Sequence, residues 1–168
     1  MIAIVVMGVS GCGKTTVASA LARRLGWDFV EADALHPAAN VEKMRAGTPL
    51  TDDDRWPWLD AIAARIEAGR EEGRVSVVAC SALKKRYRER LSGGRGDVRF
   101  VYLKGEYDTI LPRLAARSGH YMPASLLKSQ FEALEEPAGD EHAVTLDIKA
   151  PVLDLLDRVT AELAAHRR

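Results

Sequence analysis

The chain has 168 residues, 47% of them hydrophobic, enough to fill one sizeable core, and one domain, 1–168, is expected. Its 24 basic and 24 acidic side chains cancel, so no global field draws it to nucleic acid or an anionic membrane, and any anion site must be local. Two cysteines make no disulfide framework, the N-terminus has no basic n-region, and no apolar run nears the ~20 residues of a membrane-spanning helix, so a soluble, cytoplasmic protein is expected.

Ile2 to Met7 is an unbroken apolar run, the pattern of a strand buried on both faces. Directly after it stands Gly8-Val9-Ser10-Gly11-Cys12-Gly13-Lys14-Thr15, which matches G-x-x-x-x-G-K-[ST] and is followed by Thr16. In such a P-loop the glycines let backbone N–H groups turn inward around phosphate oxygens. Lys14 supplies a point charge near the β- and γ-phosphates, and the Thr15 hydroxyl can ligate Mg²⁺. Val17, Leu21 and Leu25 then recur at helical spacing and Gly26 supplies a stop, so the helix presents its N-terminus to the phosphates. Further buried-strand patterns are Phe29 to Asp33, Val75 to Cys80, Val98 to Leu103 and Ala143 to Ile148. Five strands alternating with helices predict an α/β fold, a parallel sheet with helices on both faces. A last helix opens at Pro151 and carries Leu156, Val159 and Leu163 on one face.

Two segments exceed this alternation. Leu35 to Arg70 holds two helical patterns separated by a polar turn, Thr48 to Asp54, where Pro49 and the acidic run interrupt the period. Ser118 to Pro137 carries a short stripe, Leu127, Phe131 and Leu134, framed by Gly119, Pro123 and Pro137, as a hinged lid is built; the stripe itself reads as packing.

Ligands of open parallel sheets bind beyond the carboxyl ends of the strands, so residues there are the candidates. Past the second strand, Asp33 is placed to accept a proton from a substrate hydroxyl, with a helix cap as its alternative role. His36, before Pro37, serves either the site or a turn. Past the third lie Ser81 and Lys84, the latter suited to an anionic substrate, while the rest of Lys84-Lys85-Arg86-Arg88-Arg90 reads chiefly as a solvated helix face. Arg55 either binds a substrate carboxylate or pairs with Asp52 or Asp53. Arg113 and Arg117, four residues apart, share a helical face leading into the second segment, from which they can reach a migrating phosphoryl group. Cys12 and Cys80 read as small packing residues, and neither CxxC nor HExxH occurs to hold zinc.

Taken together, Gly8 to Thr16, Asp33-Ala-Leu-His36-Pro37, Pro49-Leu-Thr-Asp-Asp-Asp-Arg55-Trp-Pro-Trp-Leu59, Cys80-Ser-Ala-Leu-Lys-Lys85-Arg-Tyr-Arg88 and Gln130-Phe-Glu-Ala-Leu-Glu-Glu-Pro137 resemble the gluconokinase family over nearly the whole chain. The resemblance implies a P-loop NTPase fold similar to shikimate and nucleoside monophosphate kinases. It implies phosphorylation of D-gluconate at its 6-hydroxyl with Mg-ATP, and a homodimer. On it, 35–70 is the substrate-binding insert, with Asp33, His36, Arg55, Ser81, Lys84 and Gln130 at the substrate. Likewise 118–137 is the lid, and Lys149 to Pro151 is a loop beside the adenine. Lys14, Asp33 and Arg117 would be catalytic, and Gly8, Ser10, Gly11, Cys12, Gly13, Lys14, Thr15, Thr16, Arg113, Arg117, Lys149 and Pro151 would bind the nucleotide. The chain departs from the family's acidic pair after the second strand by carrying Glu31 at the first position, and no acidic residue ends its third strand. The rivals are another small-molecule kinase, notably one for shikimate, and a nucleotide-dependent switch; neither a D-x-x-G nor an N-K-x-D signature supports the switch.

Overall fold

A computed structural model describes residues 1–116 and 123–165. Its centre is a five-stranded sheet in the order β2-β3-β1-β4-β5, parallel at every pairing. The strands are β1 (Ala3–Met7), β2 (Asp28–Glu31), β3 (Ser76–Ala79), β4 (Val98–Lys104) and β5 (Val144–Asp147). All five residues of β1 are buried because both faces of this central strand are covered. The two-residue period of a strand divides them: Ile4 and Val6 enter one core, Ala3, Val5 and Met7 the other. Each such Ile or Val removed from water is worth ~1.5–3 kcal/mol, so the apolar run alone commits this segment to the sheet's interior.

On the first face lie α1 (Lys14–Leu25), α5 (Tyr107–Ala115), α6 (Leu127–Ala133) and α7 (Val152–Ala165), through Val17, Leu21, Ile110, Leu114, Leu127, Leu156 and Val159. On the second lie α3 (Asp52–Glu71) and α4 (Lys85–Ser92), through Trp58, Leu59, Ile62, Tyr87 and Leu91. A short α2 (Ala38–Arg45) sits outside the layers and buries Met44 in a small cluster with Leu50 and Leu126. Leu127 is buried and Phe131 packs against the first core, while Leu134 follows α6 as its cap, so the stripe packs as read.

Three local expectations change. The second strand stops at Glu31, and Asp33 belongs to a 3₁₀ turn, Ala32–Leu35, where the Glu31 carboxylate accepts a hydrogen bond from the Asp33 amide. A turn does separate the two helices, but it ends at Thr51, and the acidic run expected within it opens the second helix instead. Thr51 caps α3 with a reciprocal Thr51–Asp54 capping box, and Asp52, Asp53 and Asp54 occupy the first turn, where negative charge favours the helix dipole. Lastly, Arg88 is not part of a wet face: it is 1% exposed, deep under α4.

Candidate active site

The P-loop forms the β1–α1 junction. Gly13, with φ 98°, caps α1 in the left-handed region, which starts the helix at Lys14 and aims its first amides at the loop. Gly8 has no room for a side chain: a Cβ there would stand 2.7 Å from Cys12 Sγ and 2.9 Å from the Leu103 carbonyl oxygen. Cys12 is thus a packing residue of the loop, its thiol pushed up by burial, as Cys80's is to about 12; both are protonated and inert at neutral pH.

Around this junction lies a hollow of about 310 Å³ lined by Ser10, Gly11, Gly13, Lys14, Thr15, Thr16, Asp33 and Arg113. A second hollow adjoins it, and its lining includes Ser10, Lys14, Asp33, His36, Arg55, Ser81 and Gln130. Ser10, Lys14 and Asp33 belong to both. The Lys14 ammonium donates to the Val9 carbonyl at 3.0 Å. The Thr15 hydroxyl donates to Glu31 Oε2 at 2.5 Å, and Glu31 Oε1 accepts from the Asp33 amide at 3.2 Å. Glu31, the residue that departs from the family pattern, thereby ties the P-loop hydroxyl to the turn that carries Asp33.

The second hollow is built by the long segment after β2. Trp58 is anchored by its indole N–H, which donates to the Ala32 carbonyl at 2.8 Å, and His36 stacks on it with ring centroids 4.1 Å apart. Asn40 holds the same turn to α3, donating to the Asp54 carbonyl at 2.8 Å, with its amide nitrogen 3.4 Å from His36 Nδ1. Burial against Trp58 pulls the His36 imidazole down from 6.5 to about 4. An unfolded chain therefore binds more protons than the folded one between those values, and stability rises with pH across that window. We expect His36→Gln to flatten the slope of unfolding free energy between pH 4.5 and 6.5, measured in urea; an unaltered slope would remove His36 as its source.

Arg55 donates to the Leu50 carbonyl at 2.8 Å and to the Tyr87 hydroxyl at 3.3 Å, rather than pairing with Asp52 or Asp53. Lys84 is not among the residues lining the second hollow; its ammonium pairs with Asp52 at 3.0 Å. Gln130 on α6 reaches the P-loop, its Oε1 accepting from the Ser10 amide at 2.8 Å, a junction spanning 120 residues of chain. Lys149 lines a separate hollow of about 260 Å³ with Lys104, Glu106, Thr109 and Arg158, and Pro151 immediately precedes α7. Arg117 lies outside the described residues. Sequence reasoning named no role for Met44, Leu50, Trp58, Leu126 or Ser129, which also line the second hollow. Trp58 and Leu50 stand inside a quoted motif, whereas Met44 carries no sequence signal.

A family model described as an AAA domain matches residues 4–137. The thermoresistant gluconokinase of Escherichia coli (strain K12) is 48% identical over 149 residues, covering 88% of this chain and 85% of that protein. The chain belongs to the gluconokinase family. A solved gluconokinase from Sinorhizobium meliloti 1021 superposes with a TM-score of 0.87 at 47% identity, covering 98% of this chain and 92% of the other. Shikimate kinase from Aquifex aeolicus, 17% identical with a TM-score of 0.64, shares the fold. As a gluconokinase-family enzyme the chain uses ATP, and the hollow at the α1 N-terminus, with Lys14 and Arg113 on its walls, suits the phosphates of that donor. No group of three or more His, Cys, Asp or Glu among the described residues is placed to hold a metal ion by itself. Oxygen donors do meet where Thr15 joins Glu31, which suits a cation that keeps its waters and nucleotide oxygens. No helix among the described residues is long and apolar enough to cross a membrane.

Proposed function

We propose that this chain phosphorylates D-gluconate at its 6-hydroxyl with Mg-ATP, giving 6-phospho-D-gluconate and ADP. The observation that carries the reading is the meeting of the two hollows at Lys14 and Asp33, since phosphoryl transfer needs donor phosphate and acceptor hydroxyl side by side. When bound, Mg-ATP supplies the phosphoryl group and the charge of the ion. Asp33 accepts the proton of the acceptor hydroxyl late in transfer. Lys14, and Arg113 with Arg117 from the lid side, stabilise negative charge. Thr15 would hold the metal, with Glu31 reaching it through water, and the ion would supply positive charge at the phosphates. Residues 35–70 form the acceptor insert, with Arg55 on the carboxylate and His36, Ser81 and Gln130 on hydroxyls. Segment 118–137 is the lid, of which α6 brings Gln130 to the P-loop. The loop 149–151 lies beside the adenine, the enzyme acts in the cytoplasm, and two copies form a homodimer.

The test is ADP formation from Mg-ATP without acceptor, with D-gluconate and with shikimate, the product identified by mass. Gluconate-dependent ADP with 6-phosphogluconate supports the reading. Stimulation by shikimate alone, or slow hydrolysis indifferent to either acceptor, would replace it with the corresponding rival. Lys14→Ala should lower kcat/KM for ATP by about 10²–10³, because a positive donor at the transferring phosphates is lost. A variant with wild-type kcat/KM for ATP would remove Lys14 from that role.

A further inference from the structure

Arg55, which lines the second hollow together with Lys14, is held by neutral oxygens. Arg55 sits in the first two turns of α3, three residues from Asp52, the spacing at which a helix brings an acid and a base together. Instead its guanidinium contacts two neutral oxygens, the Leu50 carbonyl and the Tyr87 hydroxyl, and its Cζ lies 5.6 Å from the centre of the Tyr87 ring. Asp52 is engaged elsewhere. It accepts hydrogen bonds from the Tyr87 hydroxyl and the Lys84 ammonium on Oδ1 and meets the Arg86 guanidinium on Oδ2. Tyr87 is 1% exposed, with Trp56 edge-on to its ring, so its hydroxyl has little freedom to point anywhere else. Burial, and after it the bond to Asp52, push the phenol up to about 12, and the same bond pulls Asp52 down, so the donor and acceptor roles persist at neutral pH.

We propose that Tyr87 is a positioning residue for the acceptor: its hydroxyl, anchored on Asp52, holds Arg55 in the acceptor hollow with the arginine's charge left for the substrate carboxylate. Lys84 and Arg86 complete the device by occupying Asp52, which would otherwise pair with Arg55 along the helix and cancel that charge. This gives Lys84 an electrostatic influence on the acceptor from outside the hollow. The inference rests on the gluconate reading above.

Variants at two positions test it, each assayed for KM of D-gluconate, KM of ATP, kcat and thermal midpoint. Tyr87→Phe, which removes one oxygen, should raise KM for D-gluconate about five- to tenfold while KM for ATP and kcat stay within about twofold, since the hydroxyl's two hydrogen bonds, from Arg55 and to Asp52, are lost. Lys84→Met, which releases Asp52 towards Arg55, should raise the same KM by a comparable factor, and Lys84→Arg should restore it. A general structural role would instead lower kcat and the thermal midpoint and raise both KM values together. Unmoved gluconate KM in Tyr87→Phe, or uniform losses, would overturn the inference, and if Tyr87→Phe fails to fold the Lys84 pair decides alone. Should the wild type make no ADP in response to D-gluconate, the functional reading fails and takes this inference with it. A gluconate-responsive wild type with unmoved variants sinks this inference only.

Discussion

Replacing Asp33 by Asn is expected to lower kcat by about 10²–10⁴ while leaving ATP binding intact, the usual range for removing a general base. Asn matches Asp in size and can still accept a hydrogen bond from the acceptor hydroxyl, so orientation survives and only the capacity to take the proton goes. The backbone is protected as well, because the Asp33 amide, not its side chain, makes the bond to Glu31 that shapes the 3₁₀ turn. Asp33 also lines the phosphate hollow beside Lys14. Removing its negative charge there relieves repulsion with phosphate oxygens, so the ATP Kd should stay level or fall. Titration calorimetry with a non-hydrolysable ATP analogue and initial rates with D-gluconate give the two readouts. Turnover within about twofold of wild type would remove Asp33 as the base.

The second large effect concerns stability. Arg88 carries five N–H donors and meets five acceptors. Nε and Nη2 reach the two Glu141 carboxylate oxygens at 2.6 and 3.2 Å, Nη1 the carbonyls of Ala82 and Leu83 at 2.8 and 3.2 Å, and Nη2 the Glu135 carbonyl at 2.9 Å. Arg88 is buried and Glu141 half-buried, with side-chain exposures of 2% and 11%. It fastens the loop after β3 to the segment between α6 and β5. Burial alone would raise the Glu141 carboxyl, but the Arg88 and Ala138 hydrogen bonds outweigh it and hold it below its ordinary value. Ala82, one of the bonded residues, sits at φ 44°, a strained position for a residue with a Cβ that persists only where its surroundings enforce it. Arg88→Met should therefore cost about 3 kcal/mol in urea unfolding at unchanged slope, because it takes the cation from the Glu141 carboxylate and the donor from the Ala82 and Glu135 carbonyls, while Leu83 keeps the Glu135 amide and Glu141 the Ala138 amide. Adding Glu141→Leu should recover part of the loss by removing the stranded charge. A loss below about 1 kcal/mol for Arg88→Met would show the network to be solvated in solution.

Arg88 and Lys84 also mark where reading the sequence fails. Both sit in one basic run, and side-chain type alone separates neither from its neighbours. Whether such a residue is wet, buried or paired depends on which distant segment packs over it: Glu141 lies 53 residues from Arg88 and Asp52 lies 32 from Lys84. Arg55 illustrates the same limit, because a helical spacing that brings it beside Asp52 is overridden by Tyr87 on another helix. Gln130 at the Ser10 amide follows from no local pattern, although the motif containing it was visible. The boundary errors have a different cause. Glu31 folds its side chain back on the Asp33 amide and ends β2 two residues early, and the Thr51–Asp54 box converts an acidic turn into a helix start.

What the amino-acid string determined by itself was whatever depends on near neighbours. The apolar run Ile2 to Met7 dictates a strand covered on both sides, the glycines and Lys14 that follow dictate a phosphate cradle, and the amphipathic repeats dictate the helices that cover the sheet. Those features require only chain geometry and the transfer of apolar surface from water, so they are legible in windows of ten or so residues. The tertiary structure alone decided the strand order, the junction of two hollows at Lys14 and Asp33, and the partners of Asp52, Arg55 and Arg88. A charge or hydrogen bond acquires its energy from the group that meets it and from the water excluded around both, and neither is encoded next to it in the chain.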